Sequence, residues 1–119
     1  MLAVQDKLRE KLVAMEKLRQ ELSNWQLQKL QLEQKMRELD LTVKELEGLG
    51  EGKEVYRIVG GIMVRVEDPK KLVEDLKEER ELLELRLNTV QKQLENLEKR
   101  AKELEMELKD LIQRSSSGA

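Results

Sequence analysis

The sequence predicts a mainly α protein: a long antiparallel coiled-coil hairpin with one β-hairpin at the bend, where it joins other subunits in a larger sheet or barrel. Three observations predict this. Two segments rich in Leu, Glu and Lys each keep a seven-residue apolar repeat. Between them lies VYRIVGGIMVRV (Val55–Val66), a burst of β-type residues around Gly60-Gly61. Finally, only Trp25 and Tyr56 among 119 residues are aromatic, whereas a compact core draws much of its buried area from aromatic rings.

The first helix is expected over residues 1–47. With Met15 at heptad position a, the a positions are Met1, Leu8, Met15, Leu22, Lys29, Met36 and Val43. The d positions are Val4, Lys11, Leu18, Trp25, Leu32, Leu39 and Leu46. Twelve of the fourteen are apolar, with Lys11 and Lys29 the exceptions, and a seam sustained this long marks a coiled coil. Gly48, Gly50 and Gly52 then stop the helix, because glycine is costly inside one and favoured just beyond its end. Residues 48–54 form a Gly-rich linker.

Residues 55–66 are expected to form the β-hairpin, since two glycines between alternating apolar runs signal a two-residue turn. The turn fixes the cross-strand pairs Val59–Ile62, Ile58–Met63, Arg57–Val64, Tyr56–Arg65 and Val55–Val66. One face then carries Val55, Val59, Ile62, Val64 and Val66, with Arg57 its sole polar member. The other carries Tyr56, Ile58, Met63 and Arg65. Two strands alone are marginal in water, and open edges invite further pairing. The hairpin is therefore the expected oligomerisation site, through Val55, Tyr56, Ile58, Val59, Gly60, Gly61, Ile62, Met63, Val64 and Val66.

The second helix is expected over residues 68–113. Asp68 is its N-cap and Pro69 its first helical residue. With Leu76 at d, the d positions are Leu76, Leu83, Val90, Leu97, Leu104 and Leu111, and the a positions Val73, Arg80, Leu87, Leu94, Ala101 and Leu108. Only Arg80 is polar. Glu95–Lys99, Glu98–Lys102 and Glu105–Lys109 are expected pairs at i,i+4 spacing, on a solvated face. Residues 114–119 read as a flexible tail. The two helical segments, about 47 and 44 residues, each extend on the order of 65–70 Å, so they are expected to fold back antiparallel with both chain ends at one tip.

Several chemistries are excluded by composition. The chain has no Cys and no His, which removes disulfides, thiolate nucleophiles, imidazole bases and the usual zinc ligands. No Gly-rich phosphate loop follows a strand and opens a helix. Carboxylates are spread along helical faces, not paired in a pocket. No catalytic, metal or cofactor residue is expected, and the chain is not read as an enzyme. A net charge of −2 offers no basic patch for nucleic acid. No apolar run approaches the ~20 residues that span a bilayer, and the N-terminal MLAVQDKLREKL has no signal-like apolar region. A soluble, cytoplasmic protein is the expectation.

Apolar residues also lie off the seam: Leu2, Leu12, Val13, Leu27, Leu30 and Leu41 in the first helix, and Leu82, Leu85, Met106 and Ile112 in the second. Two readings stand side by side. These residues broaden the core face or meet neighbouring subunits, or those near the chain ends form an exposed apolar patch that binds something.

The order helix, VYRIVGGIMVRV, then DPKKLVEDLKEERELLELRLNTVQKQLENLEKR and a short polar tail, resembles a β-class prefoldin subunit across nearly the whole chain. Tyr56, Gly60 and Val64-Arg65 are similar to the family's hairpin signature, and the Gly-Gly form is nearest the subunit 2 branch. The helices add little specificity, since any coiled coil matches them. The Gly-rich EGLGEGKEV before the first strand departs from the pattern. One hairpin, not two, favours the β class. The resemblance implies a hexamer of two α-class and four β-class subunits with hairpins assembled into β-barrels. It implies an ATP-independent holdase that captures unfolded proteins between coiled-coil tips and passes them to a group II chaperonin. By position, the client-binding tip is then Leu2, Val4, Leu8, Leu12, Val13, Met106, Leu108, Leu111 and Ile112. The alternative is a non-chaperone structural or adaptor coiled coil.

Overall fold

The computed structural model describes residues 2–117, and the side chains of residues 3–116. Four elements follow in chain order: helix α1 (Leu2–Glu47), strands β1 (Val55–Val59) and β2 (Ile62–Val66), and helix α2 (Pro69–Ser117). Two long helices with a two-stranded antiparallel hairpin between them is the architecture that the heptads and the Gly-Gly turn predict.

The chain divides into two compact units. In the terminal unit, α1 up to Leu30 packs on α2 from Asn88 onward. Met15, Leu18, Leu104 and Leu108 form its buried cluster, with Leu8, Leu22, Leu97 and Ala101 packed against it. Leu104, 1% exposed, is the most deeply buried. Lys11 meets Glu107 across this unit. The hairpin unit spans Gln31–Leu87. Its ion pairs Asp40–Arg80 and Glu47–Lys77 step in opposite directions along the two helices, which makes them antiparallel there, and Lys35–Glu79 also joins them.

Every described a and d residue is buried or half-buried. Burying apolar surface at roughly 25 cal/mol per Å² is the main gain available to so thin a core. The off-seam residues behave differently. Leu12, Val13, Leu27, Leu30, Leu41, Leu82, Leu85, Met106 and Ile112 are all exposed, so within the chain they do not broaden the core.

The ends of the helices show where local chemistry acts. Lys71 donates its backbone N–H to Asp68 Oδ1 at 3.1 Å, and Leu72 donates to the Asp68 carbonyl at 3.1 Å. Asp68 is thus the N-cap of α2, with Pro69 its first helical residue. α1 ends at Glu47 with Gly48 the first residue beyond it, as expected, but without a left-handed residue there. Gly48 still bonds back to Lys44 at 3.0 Å and Leu49 to Leu46 at 3.3 Å. The positive φ comes only at Gly52, at +80°, so the left-handed residue lies in the linker and not at the helix end.

α2 also continues through Ser117, past the expected end at 113. Arg114 pairs with Asp110 at 3.1 Å, one turn back, and a cation in the last turn suits the helix dipole. Ser116 Oγ donates to the Gln113 carbonyl at 3.2 Å. Residues 118–119 of the expected tail lie outside the described residues. Among the described residues, the local pairs on α2 are Arg80–Glu84, Arg100–Glu103 and Arg114–Asp110, in place of the expected Glu-to-Lys pairs. Exposed pairs of this kind contribute little, about 0–1 kcal/mol each, so solvated side chains readily choose other partners.

Candidate functional site

Both units present apolar side chains to solvent. In the terminal unit, the residues grouped by sequence as one tip separate into three settings. Leu12 and Ile112 line a groove of about 490 Å³ whose floor is Met15 and Leu108. Both stand at heptad position e, and an antiparallel pair sets e against e on one flank. Glu16, Arg19, Glu105 and Lys109 complete its lining. Val13 lies one residue from Leu12, yet it lines a separate shallow groove with Asp6, Arg9 and Glu10. Met106, at position f, is 72% exposed and lines neither.

The remaining tip residues are seam residues. Leu108 and Leu111 are buried, Leu8 packs against the buried cluster, and Val4 is half-buried. Their heptad places draw them inward, so Leu111 is closed off, Leu8 and Val4 stay only partly open, and Leu108 shows only as floor. The Leu2 side chain lies outside the described residues. The charges around the groove were missed by a reading that followed apolar residues alone; a helical wheel separating e from f positions carries the signal that finds them.

One charge contact braces the opposite flank. Lys11 Nζ stands 2.6 Å from Glu107 Oε2, although the contact departs from hydrogen-bond geometry and leaves that shielded oxygen without another partner. The short distance and opposite charges make it an ion pair. Lys11 holds the Glu107 carboxyl below its ordinary pKa, chiefly by direct contact, against a smaller opposing effect of burial.

In the hairpin unit, β1 and β2 pair antiparallel in the expected register: Val55 with Val66, Tyr56 with Arg65, Arg57 with Val64, Ile58 with Met63 and Val59 with Ile62. Gly60 has φ of +60°, while Gly61 is not in the positive region. A positive φ at the first central residue alone belongs to a type II′ turn, whose twist matches that of the strands. The hairpin stands open to solvent: Ile58 is 77% exposed, Met63 69% and Ile62 65%, while only Val55 and Val66, at its base, are half-buried.

The two hairpin faces differ in charge. On one, Tyr56 donates its hydroxyl to Glu54 Oε2 at 2.9 Å, and Arg65 lies 3.8 Å from Glu54 Oε1. A single carboxylate thus ties two residues of that face, a role for Glu54 that was not legible from strand alternation because Glu54 precedes the strand. On the other face Arg57 stands among aliphatic residues, and no carboxylate among the described residues lies within ion-pair distance of it. At the hairpin base, Leu46, Leu49, Val55 and Val73 line a cleft of about 750 Å³.

Among the described residues, no group of His, Cys, Asp or Glu is arranged to hold a metal ion. Among these residues, no helix is long and apolar enough to cross a membrane.

Comparison with known proteins bears on the family and the fold. A family model described as "Prefoldin subunit" matches residues 9–115. The chain is similar to the prefoldin subunit beta of Thermoplasma volcanium, with 32% identity over 70% of this chain and 67% of that one. It is 37% identical to the prefoldin subunit beta of Thermoplasma acidophilum over 63% of this chain and 60% of that one. The matched part is thus about three-fifths to two-thirds of these relatives' length. The crystal structure of the prefoldin beta subunit from Thermococcus strain KS-1 is similar with a TM-score of 0.78 and 30% identity, covering 87% of this chain and 90% of that one. With its two heptad helices, one hairpin and match over most of its length, the chain belongs to the prefoldin subunit family, in its β class, a family of chaperone subunits and not of enzymes.

Proposed function

We propose that this chain is a subunit of an ATP-independent holdase. Its hairpin joins the hairpins of other prefoldin subunits, α class included, in a hexamer. Its coiled-coil tips capture unfolded proteins in the cytoplasm and pass them to a group II chaperonin. The observation that carries the client-binding part is the groove where Leu12 and Ile112 stay about half exposed, 52% and 53%, although the seam beside them is closed. An unfolded chain exposes apolar segments of no fixed sequence, and a shallow apolar groove with charged edges accepts many of them without a shaped pocket. An adaptor coiled coil bound to one fixed partner has no need of such a surface.

The hairpin part rests on open aliphatic faces and unpaired edges, which a two-stranded sheet does not satisfy alone.

The test replaces Leu12 and Ile112 with Ser together in the full chain, assembled with an α-class subunit. Helix content is expected to stay unchanged, because both residues lie off the seam, while suppression of aggregation of an unfolded test protein falls several-fold. Removing Met1–Val13 and Glu105–Ala119 is expected to abolish it. Equal suppression by the double variant and the full chain rejects the groove, and undiminished suppression after truncation rejects the tip altogether.

A further inference from the structure

We propose that the aliphatic face of the hairpin selects its partner by charge: it docks on the hairpin of a different subunit that sets a carboxylate against Arg57, and it disfavours a second copy of this chain. The inference rests on the hairpin-assembly reading above.

Arg57 occupies the middle of its face. The same-face pairs are Val55–Val66 at the base, Arg57–Val64 in the centre and Val59–Ile62 at the turn. The cation is therefore surrounded by five aliphatic side chains, and no carboxylate among the described residues reaches it. Arg65, the only other charged residue of the two strands, is on the opposite face and is already met by Glu54. One face is neutralised within the chain and the other is not.

A face pressed against a partner loses its water. A guanidinium that loses water without gaining a carboxylate costs orders of magnitude in affinity, whereas one that meets a carboxylate gains a charge-assisted bond, bidentate where the geometry permits. Residues 55–66 contain no Asp or Glu. A symmetric pairing of two such faces brings a cation at each centre and supplies no anion from either hairpin. The complementary occupant is an apolar hairpin with an Asp or Glu at its centre, which this chain does not provide. The charge rejects the copy as much as it attracts the partner.

The experiment uses charge-reversed chains as the probe and reads oligomers by native mass spectrometry at low salt. Wild type, Arg57→Glu and Arg57→Val are measured alone, and wild type is also mixed with Arg57→Glu in equal amounts. The ratio of mixed to unmixed oligomers is expected to exceed its statistical value about tenfold, and to approach it in ~0.5 M salt as screening shortens the reach of charge. Arg57→Val alone is expected to self-associate about tenfold more tightly than wild type. Statistical mixing, or self-association of Arg57→Val no tighter than wild type, overturns the proposal. Ile62→Asp with Val64→Asp, introduced into the Arg57→Val chain, separates the two readings. If it dissociates the oligomer while charge reversal has no effect, the charge proposal fails alone. If it leaves the oligomer intact, or if no combination associates at all, hairpin assembly fails and the proposal with it.

Discussion

Arg80 Nε donates to Asp40 Oδ1 at 2.6 Å across the hairpin unit, while its Nη1 reaches Glu84 Oε2 at 3.1 Å. Arg80 takes a seam position where an aliphatic residue is the rule. The hydrogen bond to Asp40 leads the effects that raise its pKa above the ordinary value. A polar group at an a position weakens a coiled coil and fixes its alignment. Arg80→Leu is accordingly expected to raise the thermal midpoint of helix unfolding by circular dichroism, and Asp40→Ala to lower it. A lower midpoint for Arg80→Leu contradicts the reading of Arg80 as an alignment device.

Glu107 predicts a pH dependence. Its folded-state pKa is depressed by Lys11, so the stability it contributes is present above its unfolded value, about 4.3, and fades as pH falls through the lower folded value. Thermal midpoints of wild type and Glu107→Gln should differ at neutral pH and converge below about pH 4. A gap that stays constant through that window shows that the Lys11–Glu107 contact does not contribute through charge.

Burial separates neighbouring residues of α2. Leu104→Ala removes a side chain with no room to relax and is expected to cost about 2–5 kcal/mol in urea unfolding. Met106→Ala, at an exposed site, should stay within about 0.5 kcal/mol. Comparable losses from both place Met106 in a packed interface.

The two turn glycines are not equivalent. Gly60→Ala forces a side chain into a positive φ and is expected to weaken hairpin assembly by about 1 kcal/mol or more. Gly61→Ala meets ordinary φ and open space and should be nearly silent. Dissociation midpoints of the oligomer, measured by native mass, distinguish them. Equal damage from both rejects the type II′ assignment.

Much of the fold was legible because heptads and a Gly-Gly turn are local codes. The seam from Val4 to Leu111 and the five cross-strand pairs could be written from spacing alone. Asp68-Pro69 likewise marked the start of α2. The end of α2 was less legible: SSS looks like a tail by composition, yet Asp110–Arg114 carries the helix onward. The binding surface was only half legible. Counting apolar residues near both termini put Leu12, Val13, Met106 and Leu111 in one group, because composition ignores rotation about the helix axis. The angle that separates e from f positions had to be added. Glu54 was invisible for a related reason: its partners Tyr56 and Arg65 come together only when the strands pair.

Leu12 and Val13 are adjacent in sequence but about 100° apart around the helix, and each lines its own groove. Both grooves are open to solvent rather than enclosed. A long flexible chain that lies in both gains from their proximity, because its second attachment is intramolecular once the first has formed. It also leaves in stages, each grip loosening by itself. In the proposed function, holding and letting go then become a question of how many weak contacts remain.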